Sequence, residues 1–287
     1  MINQRTAVVT GASSGFGRLT AEAFAADGWR TYATMRNTET KNAKVAAELL
    51  RAGISVVELD VTSNASVDAA AKLIVEGAGA VDVLVNNAGT AHFGIQEAYT
   101  PESVERQYAT NVIGPLRVNR AFLPSMRERK TGLVVYVSSI VGRVVLPYSS
   151  VYSSSKWALE ALAEASFYEL APFGVDVAIV EPGAFATEIL GKTESADDAA
   201  RIETYGRFAQ LADERVHGLV AAAQGRDPAD VAKVILRLAN APHGTRELRT
   251  VDPENPIVEG INNAVAPLQR GLLEAMNMGE LLPKVPA

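Results

Sequence analysis

Short uninterrupted apolar runs alternate with longer stretches of helical periodicity along most of the chain. The runs cover residues 7–10, 30–35, 54–59, 82–85, the stretch that begins at Val134, 175–180 and 246–251. Rich in β-branched residues and too short for helices, they predict strands buried on both faces. Between them the period changes: Leu19, Ala23, Phe24 and Ala26 share one helical side just after Gly17. Further helices are expected over 39–51, from Ser63 or Asn64 onward, over 101–129 with Pro101 in its first turn, over 150–171, and from Pro228. Strand and helix in strict turn predict a parallel sheet with helices on both faces, because right-handed crossovers place them there.

Two stretches depart from this rhythm. Residues 189–224 are polar and Ala-rich with periodic Leu and Phe, longer than an ordinary connection, and predict a helical lid over about 185–225. From Asp252 onward the chain carries several prolines and an amphipathic stretch at 264–276, an extension over the pocket or over a neighbouring subunit. The whole of 1–287 is expected to be one domain, since 48% hydrophobic and 21% charged residues suit a single large core.

Charge and rare residues narrow the function. A net charge of -6 without a Lys/Arg cluster argues against nucleic acid as a partner. The absence of Cys excludes disulfides, thiolate catalysis and Cys-ligated metal. His92, His217 and His243 lack metal-ligand spacing, so no metal is expected, and His92 and His217 are expected at the surface. No signal-peptide pattern or apolar run of membrane-spanning length is visible, which makes the cytoplasm the expected compartment.

The candidate chemistry sits where strands end. After the first run comes TGASSGFG, residues 10–17. A strand, a glycine turn and a helix start bring backbone N–H groups and a positive dipole end to bear on an anion such as a dinucleotide pyrophosphate. Gly11 suits the tight turn, Gly15 the close backbone approach and Gly17 the packing of helix on strand. The second run ends at Arg36, where NAD-preferring folds carry a carboxylate; with Ser13 and Ser14 nearby, a 2′-phosphate and hence NADP is favoured, NAD being the alternative. Asp60 either accepts from an adenine amino group or caps the next helix. Asn87, Ala88 and Gly89 form a small amide-bearing loop, and Asn111, just before Gly114 and Pro115, invites a kink in the long helix.

The central stretch, from Val134 to Lys156, joins a strand, a Ser pair, a Gly/Pro loop and a helix start. Tyr152 and Lys156, four apart, share a helix face, where an ammonium beside a phenol lowers a pKa that is ordinarily about 10. Ser139, at the preceding strand's end, completes a polar cluster around a substrate oxygen. Phe93, Val141, Leu146, Tyr148, Phe185, Ile189 and Leu190 fall near the same sheet edge and suggest an apolar pocket.

These motifs in this order, with PGAFAT at 182–187, resemble the short-chain dehydrogenase/reductase family over residues 5–250. The strand ends ATMRN and PGAFATEI are similar to its NADP-linked hydroxysteroid and retinol dehydrogenase branch. The resemblance implies a Rossmann-type doubly wound sheet of seven parallel strands in the order 3-2-1-4-5-6-7. It implies Tyr152 as acid and base, Lys156 holding the nicotinamide ribose and, together with the positive nicotinamide ring of the oxidised cofactor, depressing the phenol pKa, Ser139 on the substrate oxygen, and Asn111 anchoring a water that links Lys156 to solvent. It implies cofactor contacts at Gly11, Ser13, Ser14, Gly15, Phe16, Gly17, Arg36, Asp60, Val61, Asn87, Ala88, Gly89, Tyr152 and Lys156, and at Pro182, Gly183, Phe185 and Thr187. A homodimer or homotetramer paired through the helices that hold Asn111 and Tyr152 is implied as well. The reading is an NADP(H)-dependent oxidoreductase for a mainly apolar alcohol or carbonyl. An NAD-linked dehydrogenase of a sugar-like alcohol and a catalytically silent dinucleotide sensor remain open beside it.

Overall fold

Seven strands form one sheet in the computed structural model, which describes residues 4–185, 194–222, 225–252 and 254–282. They are β1 (Thr6–Thr10), β2 (Arg30–Met35), β3 (Ser55–Glu58), β4 (Val83–Asn86), β5 (Leu133–Val137), β6 (Asp176–Pro182) and β7 (Arg249–Asp252). Their order is β3-β2-β1-β4-β5-β6-β7 and every pairing is parallel. The expected doubly wound order is therefore present, with its reversal of direction between β1 and β4. That reversal opens a crevice at the carboxyl edge, where ligands of such sheets bind.

Alternation along the buried strands divides the core into two layers. Ala7, Val9, Val83, Val85, Val135 and Val180 face Phe24, Trp29, Ile235 and Leu238, contributed by α1 (Gly15–Ala26), α9 (Ala229–Asn240) and the turn after α1. Val8, Leu84, Val134, Val177 and Ile179 face Ile74, Val118, Phe122, Met126 and Leu159 from α3 (Asn64–Ala78), α5 (Ile113–Arg129) and α6 (Ser150–Leu170). Burial on both faces is why these strands read as continuous apolar runs rather than as alternating ones.

Helix ends follow local chemistry. Ser63 caps α3 by accepting from Ser66 N, and Thr100 caps α4 (Pro101–Asn111) by accepting from Ser103 N, with Pro101 at the first helical position. The expected helix over 101–129 is broken at Val112 into α4 and α5, because Pro115 has no N–H for the Asn111 carbonyl. The helix expected from residue 39 starts only at Ala43, as α2 (Ala43–Arg51). Glu58 accounts for this: its carboxylate accepts from Asn37 N, Thr38 N and Thr38 Oγ1, each within 2.8 Å, and holds 37–42 as a turn. The last strand likewise starts at Arg249 rather than at 246, because Arg246 folds back to donate to the Leu238 and Ala241 carbonyls and to pair with Asp176.

Above the carboxyl edge lie α7 (Ala199–Thr204) and α8 (Arg207–Ala222), the described part of the expected lid. His92–Phe93 pairs in parallel with Glu194–Ser195 and ties the start of this described segment to the loop after β4. The C-terminal helix α10 (Pro256–Ala275) is capped by Asn255 and buries only Val258 and Leu273 among its side chains. Thr187, Ile189 and Leu190 lie outside the described residues. No helix among the described residues is long and apolar enough to cross a membrane, and no group of metal-ligating side chains occurs among them.

Candidate active site

A cleft of about 390 Å³ runs along the crevice from the end of β2 to the start of α6. Of the expected contacts, Gly11, Ser13, Ser14, Gly15, Phe16, Arg36, Asp60, Val61, Asn87, Ala88, Gly89, Tyr152 and Lys156 line it. The glycine turn is built for close approach. A Cβ on Gly11, whose φ is +67°, would meet the Ala88 Cα at 2.7 Å. A Cβ on Gly17 would meet Asn87 Nδ2 at 2.3 Å and the Gly11 carbonyl at 2.5 Å, so Gly17 lies beneath the cleft floor rather than on it.

Thr10 and Asn87 stitch the turn to the next loop. Thr10 Oγ1 accepts from the backbone N–H groups of Asn87 and Ala88 at 3.0 and 3.1 Å. Asn87 Nδ2 in turn donates to the Thr10 carbonyl at 2.8 Å. Asn111, fully buried, grips Thr90 on both sides: its Oδ1 accepts from Thr90 N at 2.8 Å and its Nδ2 donates to Thr90 O at 2.9 Å. A third bond from Nδ2 to Ser155 Oγ completes its use. Asn111 thus fixes the loop through its side chain, and only its main-chain carbonyl is left for the expected water.

At the end of the cleft beside β2 and β3, the helix-cap reading of Asp60 fails. Ser63 is the helix cap, while Asp60 accepts from Thr62 N and Thr62 Oγ1 within 2.8 Å and faces the cleft, 4.0 Å from Arg36 Nη1. Arg36 remains 60% exposed there. Lys41 lines the same end and was missed from sequence, because only the turn fixed by Glu58 and by Asn42, which donates to the Arg36 carbonyl, brings it round. Asn37 and Asn42 join the lining by the same route.

At the other end Tyr152, Lys156 and Ser139 converge. Lys156 is 5% exposed, donates from Nζ to the Val137 carbonyl at 2.8 Å, and lies 5.8 Å from the Tyr152 ring centre. Ser139 hydrogen-bonds the Tyr152 phenol and also donates to the Pro182 carbonyl at 3.3 Å. Phe93 holds the Tyr152 ring edge-on at 5.6 Å. The expected lowering of the phenol pKa by its Lys neighbour is not what this arrangement gives. Burial pushes Tyr152 up to about 12 against the pull of Ser139, and burial brings Lys156 down to about 8 against the pull of Glu160. Spacing placed the two groups together; the loss of water around them sets the direction of the shift.

The remaining expected residues are elsewhere. Gly183 donates to the Asp252 carbonyl at 2.8 Å, Pro182 serves Ser139, and Phe185 is buried edge-on against Phe16 at 5.3 Å; none of the three lines the cleft. His92, expected at the surface, is buried and stacks on Tyr99 at 6.2 Å, because the short strand it opens is covered by the lid's start. His217 is exposed as expected. Beside Phe93 a second hollow of about 890 Å³ begins at Gly94 and is walled by Ile95, Tyr99, Leu146, Tyr148, Tyr205 and Phe208.

Comparison with known proteins agrees with this geometry. A family profile described as short chain dehydrogenase matches residues 5–198. Human 17-beta-hydroxysteroid dehydrogenase type 1 is 36% identical over 266 residues, covering 88% of this chain and 80% of that protein. Bovine retinol dehydrogenase 8 is 34% identical over 268 residues, covering 88% and 84%. Among solved structures, a short-chain dehydrogenase from Streptomyces avermitilis superposes with a TM-score of 0.77 at 33% identity, covering 96% and 97%. A Sphingobium yanoikuyae short-chain dehydrogenase in complex with NADPH gives 0.72 at 26% identity, covering 94% and 95%. A Burkholderia phymatum short-chain dehydrogenase/reductase in complex with NAD gives 0.75 at 26%, covering 100% and 99%.

Proposed function

The chain belongs to the short-chain dehydrogenase family, as an oxidoreductase acting on CH–OH groups, and on that premise we propose that it interconverts an alcohol and a carbonyl of a mainly apolar small molecule with NADP(H). The observation that carries this reading is that Tyr152 and Lys156 line one end of a cleft floored by the glycine turn, with Ser139 against the Tyr152 phenol. The cleft fits an extended dinucleotide, since its floor is backbone that a single Cβ at Gly11 or Gly17 would obstruct.

In reduction Tyr152 gives its phenolic proton to the substrate oxygen, and in oxidation it takes that proton back. Ser139 donates to the same oxygen as negative charge develops, exchanging its long bond to Pro182 for a shorter one. Lys156, an ammonium at neutral pH even at about 8, steadies the phenolate and holds a ribose hydroxyl. Protons return to Lys156 through water at the main-chain carbonyl of Asn111, which Pro115 leaves unengaged. A bound nicotinamide dinucleotide supplies or accepts the hydride. The aromatic hollow beside Phe93 supports an apolar substrate, and exposed Ile113 and Leu116 on α5 with Trp157 and Leu162 on α6 support pairing of copies through these helices.

Arg36 and Lys41 support NADP over NAD, since both bring cations to the adenosine end. Arg36→Asp is expected to move the NADP/NAD ratio of kcat/KM about a hundredfold toward NAD, by removing a guanidinium partner and adding repulsion to a phosphate. An unchanged ratio would remove Arg36 from the site. The function itself is tested by NADPH and NADH oxidation against steroid, retinoid and sugar carbonyls. NADPH-driven turnover of the apolar carbonyls is expected. Turnover confined to sugars with NADH would favour the polar NAD-linked reading, and binding without turnover anywhere would favour a sensor.

A further inference from the structure

Behind the catalytic loop lies a buried cluster of charges that the reaction does not use. Arg249, at the start of β7, donates to Glu160 at 3.0 Å and to Glu164 at 2.7 Å, and its Nε stands 3.5 Å from Glu181. Glu160 and Glu181 are almost wholly buried. The second cation is Arg143, whose Nε donates to Asn262 Oδ1 at 2.7 Å, while Asn262 Nδ2 donates to Glu181 Oε2 at 2.7 Å. Three carboxylates thus gather around Arg249, and Asn262 of α10 links one of them, Glu181, to Arg143.

The two groups that Asn262 joins flank Ser139. Arg143 closes the tight turn Ile140–Gly142 that Ser139 opens as its cap, donating its backbone N–H to Ile140 O at 3.0 Å. Glu181 precedes Pro182, whose carbonyl accepts the Ser139 hydroxyl. No room is left for slack behind the turn: a Cβ on Gly142 would meet Ser138 Oγ at 2.9 Å and Glu160 Cγ at 3.0 Å. A shift of Asn262 is therefore transmitted to both sides of Ser139. Helix α10 is otherwise lightly held, with two buried side chains in its 20 residues.

We propose that Asn262 is a positioning residue for Ser139, acting through Arg143 and Glu181, so that docking of the C-terminal helix sets the geometry of the catalytic hydroxyl. The inference rests on the reading of Ser139 as a catalytic residue. It also carries a pH signature. The groups facing Glu181 are Glu160 and Glu164 from α6, Arg249 from β7, Arg143 from the loop after β5, and Asn262 from α10. Burial, then the Glu160 charge, push Glu181 up to about 7 from 4.5, outweighing the pull of Asn262 and the two Arg. The contribution of Glu181 to folding stability is full below about 4.5, is lost as pH rises through about 7, and levels off above it.

The test compares the parent with N262A, E181Q and S139A. In N262A, whose side chain is only partly buried, kcat is expected to fall about tenfold with NADPH affinity unchanged, and amide exchange at 140–143 and in α10 to rise. In the parent, folding stability is expected to fall more steeply between pH 5 and pH 8 than in E181Q. A kcat in N262A within twofold of the parent, or exchange at 140–143 unaltered by it, would overturn the proposal, and equal pH dependences of stability in parent and E181Q would overturn the assignment of that dependence to Glu181. S139A separates the two levels. Loss of turnover there with none in N262A sinks the positioning role alone, whereas retained turnover in S139A removes Ser139 from the chemistry and the proposal with it.

Discussion

Tyr152→Phe is expected to lower kcat about a thousandfold while weakening dinucleotide binding only a few fold, because general acid–base groups contribute roughly that much to such steps. The substitution is unusually clean here. The ring keeps its edge-on contact with Phe93 at 5.6 Å, and Lys156 keeps its bond to the Val137 carbonyl at 2.8 Å. What disappears is one hydroxyl and its bond to Ser139. Folding is not at stake, since the lost group was a buried phenol with a single side-chain partner, so thermal stability should stay level or rise slightly. Turnover surviving in this variant would mean that another group, or water, delivers the proton.

Gly17→Ala should be the most damaging small substitution in the cleft. The new methyl would stand 2.3 Å from Asn87 Nδ2 and 2.5 Å from the Gly11 carbonyl. Neither neighbour can retreat cheaply: Asn87 Nδ2 is engaged with the Thr10 carbonyl at 2.8 Å, and Gly11 is itself pressed against Ala88. Overpacking of this kind costs about 1–3 kcal/mol, which corresponds to a fall of roughly 2–5 °C in Tm for a chain of this size. Because the displaced atoms are the cleft floor, dinucleotide affinity should fall about a hundredfold, equivalent to roughly 3 kcal/mol. Gly271→Ala supplies the contrast. It lies in α10 with nothing within 4 Å of its added Cβ, and should stabilise by about 0.5–1 kcal/mol through helix propensity. Equal melting temperatures for the two variants would contradict the steric account.

The difference between these glycines also marks what a linear reading reaches. Gly11, Gly15 and Gly17 announce themselves because they follow a buried strand and open a helix, and strands covered on both faces leave apolar runs that nothing interrupts. The sheet order follows from crossover handedness, which holds for almost any chain with this alternation. Lys41 was illegible because its place in the cleft depends on Glu58, on a different strand, gripping the turn at 37–38. The cluster of Glu160, Glu181, Arg249 and Asn262 was illegible for the same reason, since its members come from four elements distant in sequence. The Tyr152 shift was misjudged for a different one. A spacing of four residues fixes proximity, but it says nothing about how much water remains around the pair, and desolvation of both groups outweighs their mutual attraction in the protein alone. On the proposed mechanism the acidification of Tyr152 belongs to the complex with an oxidised dinucleotide, whose positive ring, as the family resemblance implies, adds a charge that Lys156 by itself does not provide.

Ultraviolet difference titration of the Tyr152 phenol, isolated by subtracting the Tyr152→Phe variant, tests that claim most directly when run on the protein alone and with NADP⁺ bound. The protein alone is expected to show no ionisation of Tyr152 below about pH 10, and the complex a transition at about 7 to 8 that coincides with the acid limb of the alcohol oxidation rate. A phenol that stays protonated past about pH 10 in the complex, while oxidation still proceeds at neutral pH, would contradict it.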